Sequence, residues 1–202
     1  MTAFDSTKDY ILENDVVLLR PMQESDIEHL LVFSLNEPDL WKFSLVSPAG
    51  ENGMRDYIMA ALDGRAKGME YSFIVFDKRT QQYAGSTRFY DIQINNKSTQ
   101  LGYTWYGKNF QETGLNKNCK LLLLQFAFET LGLERVEFRA DNNNERSKAA
   151  MRSIGCVEEG VLRSHVATYT SLRRDSIILS ILKQEWEGGL KEALEEKLSK
   201  YK

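Results

Sequence analysis

The chain has 202 residues, 42% hydrophobic and 27% charged, which suits one soluble globular domain with a substantial core. Its net charge of -3 argues against nucleic-acid binding, and no apolar run reaches the length of a membrane span. Two histidines and two distant cysteines, Cys119 and Cys156, with no CxxC spacing, exclude a structural zinc site and read as small buried thiols in a reducing cytoplasm.

The opening residues Met1 to Asp5 carry no signal-peptide pattern. Val16–Arg20 predicts a short strand ended by Pro21. Ser25-Asp26 offers an N-cap to a helix through Leu30, Leu31 and Phe33, and Glu51–Lys67 predicts a second helix with Met54, Tyr57, Ile58 and Ala61 on one face. Tyr71–Phe76 reads as a buried strand, Asp77–Gln82 as a turn, and Tyr83–Tyr90 as the hairpin partner. Thr99–Trp105 is the fourth predicted strand. A helix over Lys117–Thr130 follows, apolar on nearly every face. Then come a strand over Arg135–Ala140, a break at Asn142–Asn144, and a short helix over Asn144–Ser153 that ends before Gly155. Cys156–Val166 and Asp175–Leu182 predict an antiparallel pair. The charged tail, about Glu185–Lys202, predicts a helix whose Leu190, Leu194 and Leu198 form a narrow stripe. That stripe packs either on its own chain or on a partner in a homodimer, and it is expected to be dispensable for chemistry. The whole predicts an α/β fold, a mixed, mostly antiparallel central sheet flanked by helices, in a single domain spanning 1–202.

The most informative stretch is the loop Gln111-Glu-Thr-Gly-Leu-Asn116, set between a strand and a long helix. Unpaired backbone N–H groups at the positive end of a helix dipole make a phosphate site. The loop lacks both the Gly-Lys-Ser/Thr ending of a nucleoside-triphosphate loop and the three-glycine dinucleotide fingerprint. The next candidate anion is the pyrophosphate of coenzyme A.

The order strand, Gln111-x-x-Gly114-x-Asn116, long helix, strand, Asn144-Glu-Arg-Ser147, short helix, Gly155 resembles the GCN5-related N-acetyltransferases, and within them the RimJ/RimL type that acetylates ribosomal-protein N-termini. The resemblance spans roughly 16–186. It implies that Gln111, Glu112, Thr113, Gly114, Leu115 and Asn116 present backbone N–H groups to the pyrophosphate, Gly114 allowing close approach. It implies that the fourth predicted strand splays from the fifth, so that the backbone of Tyr103, Thr104 and Trp105 binds the pantetheine amides and offers one oxyanion donor. Asn144 is then a pantetheine contact; by spacing alone, Asn144 and Ser147 are equally a helix-capping pair. The implied cosubstrate is acetyl-CoA, with no metal, and the implied acceptor is a peptide or protein N-terminus or a small amine, in a cytoplasmic enzyme.

Two departures bear on mechanism. The tyrosine that many relatives place seven residues after the Asn is here Met151, which cannot donate a proton, so Ser147 becomes the expected catalytic donor to the departing thiolate. The carboxylate that relatives often carry on the fourth strand is here Gln100, which leaves the general base unassigned. His165 is a candidate base or a plain strand histidine; Glu158 and Glu159 attract a cationic amine or simply end a strand. His29 is expected only to pack. Arg88 orders the acceptor cleft or the sheet, and by the resemblance Trp41, Phe43 and Ser44 line the acceptor cavity. Since no Cys or Ser stands with a base as a nucleophile, direct attack by the amine is expected. The alternative is a non-catalytic acyl-CoA sensor or interaction module, for which Met151 and Gln100 speak.

Overall fold

A computed structural model describes residues 4–199. The strands are β1 (Leu12–Glu13), β2 (Val17–Pro21), β3 (Glu70–Asp77), β4 (Gln82–Gln93), β5 (Ser98–Tyr106), β6 (Arg135–Asp141), β7 (Val157–Ala167) and β8 (Arg173–Leu182). The helices are α1 (Asp26–Asn36), α2 (Gly50–Ala66), α3 (Leu115–Gln125), α4 (Glu145–Ser153), the single turn α5 (Lys183–Glu185) and α6 (Lys191–Ser199). One sheet holds all the strands in the order β1-β2-β3-β4-β5-β6-β8-β7, antiparallel throughout except for β5 beside β6. The mixed, mostly antiparallel sheet with flanking helices is the fold class the sequence predicts.

Local physics explains where boundaries moved. Pro21 does not lie just beyond β2 but is its last residue, opposite Phe73. β1 covers only Leu18 and Leu19 of β2, so at Pro21 the outer side of the strand has no ladder and no N–H is needed there. At the start of α1, Ser25 makes no side-chain cap. The work passes to Asp26, fully buried, which accepts from the Gln23 N–H at 2.8 Å and from both terminal nitrogens of Arg20 at 2.9 and 2.6 Å. The long apolar helix begins at Leu115 rather than Lys117, and it finishes in a wide π turn over Phe126–Thr130.

The tail departs furthest from expectation. Gly189 has φ 114° and breaks the predicted continuous helix, so a π turn at Trp186–Leu190 leads into α6. Trp186, Leu194 and Leu198 are buried in the main core, and a Leu190 methyl lies over Gly155, where a Cβ would stand 2.2 Å away. The stripe therefore packs inward, on its own chain; residues 200–202 of the predicted tail lie outside the described residues.

Helices cover both sides of the sheet. Neighbouring residues of β4 point to opposite faces. Ser86 meets the Tyr57 hydroxyl of α2 at 3.0 Å, whereas Thr87 meets the Lys120 ammonium of α3 at 3.5 Å. On β6 the same alternation buries Val136, Phe138 and Ala140 toward α3, leaving Arg135, Glu137 and Arg139 on the α2 face, where both arginines bond Glu137.

Candidate active site

The site is a break in the sheet. β5 pairs with β6 only from Ser98 to Gln100, against Arg135 to Glu137. Beyond this the strands part, and the gap from Leu101 to Tyr106 opens against Phe138 to Asp141. A cavity of about 590 Å³ passes through the gap and reaches both faces of the sheet.

On β5 the edge of the gap carries a bulge. Ser86 and Arg88 of β4 pair with Trp105 and Gly102, so that Tyr103 and Thr104 together oppose Thr87. Tyr103 takes up the extra residue with φ 49°, a left-handed conformation that a tyrosine adopts only when its surroundings impose it. Here the Tyr57 hydroxyl donates to the Tyr103 carbonyl at 3.3 Å, Thr104 Oγ1 donates to the Gly102 carbonyl at 3.3 Å, and Arg88 lies 4.3 Å over the Tyr103 ring. Behind the bulge β4 and β5 run unusually close. Gly85 faces Trp105 where a Cβ would fall 2.0 Å from the Trp105 carbonyl oxygen, and only glycine fits.

The bulged strand feeds directly into the loop before α3. Glu112 at φ 62° and Gly114 at φ 82° turn the chain so that successive N–H groups face one way. The amides of Glu112, Thr113 and Gly114 donate to no protein acceptor among the described residues. The loop is braced from outside: Arg79, itself paired with Asp77, donates to the Thr113 carbonyl at 3.0 Å, and Thr113 Oγ1 donates to the Phe110 carbonyl at 2.9 Å. Gln111 is braced too, donating to the Tyr106 carbonyl at 2.8 Å and accepting from Arg146 of α4. The combination of a helix N-terminus, three outward amides and a rigid frame has the geometry of an anion cradle.

At the start of α4, Asn144 Oδ1 accepts from the Ser147 N–H at 3.0 Å. The capping pair is thus present, and Asn144 Nδ2 and the Ser147 hydroxyl remain for other partners. Both residues line the cavity, as do Met151, Tyr103, Thr104, Trp105, Gln111, Glu112, Gly114 and Asn116. Thr113 and Leu115 do not; Leu115 is fully buried in the core, so only its backbone is available to the cradle.

Several sequence candidates are committed elsewhere. Glu158 pairs with Arg152, and Glu159 accepts from Arg135 and from Ser180. His165 does not line the cavity; it meets Ser176 Oγ at 3.0 Å, and burial together with Arg139 lowers its pKa. His29 stacks on Tyr83 as a packing residue. Gln100 donates to Asp91 at 2.8 Å, and Arg88 pairs with Glu70 at 2.6 Å beneath the bulge. Trp41, Phe43 and Ser44 do line the cavity. Burial pushes both thiols, Cys119 and Cys156, up to about 12, which makes them poor nucleophiles.

Sequence reading missed Lys120. It sits inside the apolar run of α3, is 5% exposed, and still lines the cavity. Its ammonium donates to Thr104 Oγ1 at 2.9 Å and lies 5.8 Å from the Phe138 ring centre. Burial lowers its pKa to about 8. The available signal was a lone cation between Cys119 and four leucines, which no helix needs for packing. Asp141 and Arg174, on the opposite face of the gap, were also missed; each sits in a strand end whose local pattern reads as ordinary turn chemistry.

A bulged, splayed strand joined to an anion-binding helix is the architecture of an acyl-CoA enzyme. Residues 17–157 match the model of the acetyltransferase (GNAT) domain, and the chain belongs to that family. It is therefore an acetyl-CoA-dependent acyltransferase. It is 28% identical over 178 residues to YdaF of Bacillus subtilis (strain 168), whose name proposes a ribosomal N-acetyltransferase, with 85% of this chain and 92% of that one covered. The N-acetyltransferase p20 of Bacillus licheniformis is 26% identical over 178 residues, covering 88% and 98%. Among solved structures, a T. thermophilus protein described as an acetyltransferase superposes with a TM-score of 0.85 at 30% identity, covering 98% of this chain and all 100% of its own. The fold is shared, at 22% identity and a TM-score of 0.74, with the microcin C7 self-immunity acetyltransferase MccE, solved with acetyl-CoA and AMP; the match covers 84% and 93%.

Proposed function

We propose that the protein transfers the acetyl group of acetyl-CoA directly to a primary amine, a protein or peptide N-terminal α-amine being the favoured acceptor. The observation that carries this reading is the continuity of the left-handed bulge at Tyr103 with the cradle at Gln111–Asn116 on one side of a gap in the sheet. The name of the B. subtilis relative YdaF, a proposed ribosomal N-acetyltransferase, supports the choice of acceptor.

In this reading the pyrophosphate sits on the amides of Glu112, Thr113 and Gly114, and the pantetheine arm enters the gap between β5 and β6. Backbone groups of Tyr103, Thr104 and Trp105 replace the ladder bonds that β6 no longer provides, and Asn144 Nδ2 bonds the arm from α4. An N–H at the bulge faces the thioester carbonyl and stabilises the oxyanion. The amine nitrogen attacks the carbonyl carbon, the C–N bond forms and the C–S bond breaks. The Ser147 hydroxyl donates to the sulfur as charge develops on it, and the proton lost by the amine leaves to water. Holding both reactants across the gap supplies the entropic part of the rate.

The test is release of free CoA thiol from acetyl-CoA with a panel of amines and N-terminal peptides. Amine-dependent release is expected. Binding of acetyl-CoA without transfer to any amine would instead support the non-catalytic sensor.

A further inference from the structure

The α2 face of the gap holds an arginine with an unfilled role. Arg174 stands at the start of β8, beside the end of β6, and lines the cavity. Its Nε donates to Ser176 Oγ at 3.1 Å and one terminal nitrogen, Nη1, donates to the Phe43 carbonyl at 3.1 Å. These bonds fix the plane of the guanidinium, tie the α1–α2 loop to the sheet, and leave Nη2 with no partner among the described residues. No carboxylate among the described residues reaches ion-pair distance of Arg174, although Asp141, on the neighbouring strand β6, acts on it from farther off. The surroundings do not favour a lone cation: the group is half-buried and Arg139 lies near.

The other cations of this face are spoken for. Arg139 bonds Glu137 at 2.7 Å, and Arg88 is held by Glu70 and sandwiched against the Tyr57 and Tyr103 rings. Tyr90 and Tyr103 flank Arg174, and burial raises both phenol pKa values, so they remain neutral. Arg174 and Asp141 thus line the same cavity from adjacent strands without meeting at ion-pair distance. A fixed guanidinium with a free edge matches a planar carboxylate.

We propose that the acceptor amine carries a carboxylate and that Arg174 binds it. This rests on the acetyltransferase reading. The carboxylate has two sources, the α-carboxylate of a free amino acid or an acidic side chain near the N-terminus of a peptide, and the geometry serves both.

The experiment uses the full chain saturated with CoA. Calorimetry compares free amino acids with their amides, and N-terminal tetrapeptides carrying Glu with the same peptides carrying Gln. An acid-bearing ligand should bind roughly tenfold to a hundredfold more tightly than its amide, the span expected for a charged hydrogen bond. Arg174→Gln should erase that difference by weakening the acid alone, and Arg174→Lys should retain part of it. The series that shows the difference identifies the source. Equal binding of acids and amides by the unaltered protein overturns the proposal, as does equal weakening of both by Arg174→Gln, which would make Arg174 only a tie for the Phe43 loop. Thiol release with the same compounds and acetyl-CoA tests the other reading separately. Acid-selective binding without transfer removes the acetyltransferase reading and keeps the carboxylate site; transfer to acids and amides alike does the reverse.

Discussion

The wall of the cleft that we propose binds the donor, Tyr103 to Asn116 with Asn144 to Met151 beside it, is made of two continuous segments, each a strand end turning into a helix. The wall that we propose meets the acceptor takes single residues from distant places: Trp41 and Phe43 from the α1–α2 loop, Tyr57 from α2, Tyr90 from β4, Asp141 from β6 and Arg174 from β8. The difference is physical. A phosphate cradle is backbone geometry, so local turn preferences encode it. A pocket for an amine is side-chain chemistry gathered by the sheet, and no local pattern marks its members. Donor binding is thus expected to tolerate change on the α2 face, and acceptor selectivity to tolerate change in the loop.

Removal of the chain from Glu187 onward should break this contrast most severely. α6 packs on α3, the helix that carries the cradle, and buries Leu194 and Leu198 at 1% and 7% exposure. Losing two such side chains costs about 3–6 kcal/mol. Urea denaturation should report that loss; a truncated chain as stable as the whole would show that the donor wall stands without distant support.

Within the donor wall, Ser147→Ala should lower turnover by roughly tenfold to a thousandfold while acetyl-CoA affinity stays near its original value. Steady-state thiol release measures it, and Met151→Tyr in the same background is expected to restore part of the rate by returning a phenol to the gap. Unchanged turnover would reduce Ser147 to the helix-capping role its N–H already plays with Asn144.

Gly114→Val places a branched side chain at φ 82°, at a strain of about 1–3 kcal/mol, and fills the approach to the cradle. CoA binding by calorimetry should weaken by roughly tenfold to a hundredfold with the circular dichroism spectrum intact. Preserved affinity would move the pyrophosphate away from this loop.

The smallest effect concerns the cation between the two walls. Lys120 has its pKa lowered by burial from 10.5 to about 8. Below pH 8 the folded and unfolded chains both hold the proton, and the folded state carries the full desolvation cost. From about pH 8 to 10.5 the folded state releases the proton first, so this contribution to stability rises with pH. Lys120→Met should therefore stabilise the fold at pH 7 by about 1–3 kcal/mol, the advantage fading across that window. Paired melts of both proteins between pH 7 and 10.5 check the sign; a less stable variant at pH 7 would show that the Thr104 and Thr87 bonds outweigh the burial cost.

The sequence by itself determined the alternation of elements, the loop at Gln111–Asn116 and the cap at Asn144, because periodicity, turn chemistry and helix-end electrostatics act over a few residues. Its resemblance to the family also indicated which expected chemical groups were missing, at Gln100 and Met151. Only the tertiary structure decided that the tail folds back as core, since a break at Gly189 and burial under α3 depend on what lies opposite. It also decided that Lys120 enters the cavity and that Arg174 and Asp141 line it from adjacent strands. A charge is legible in the sequence, but whether it meets water, a counterion or an open gap is fixed by strands far away in the chain.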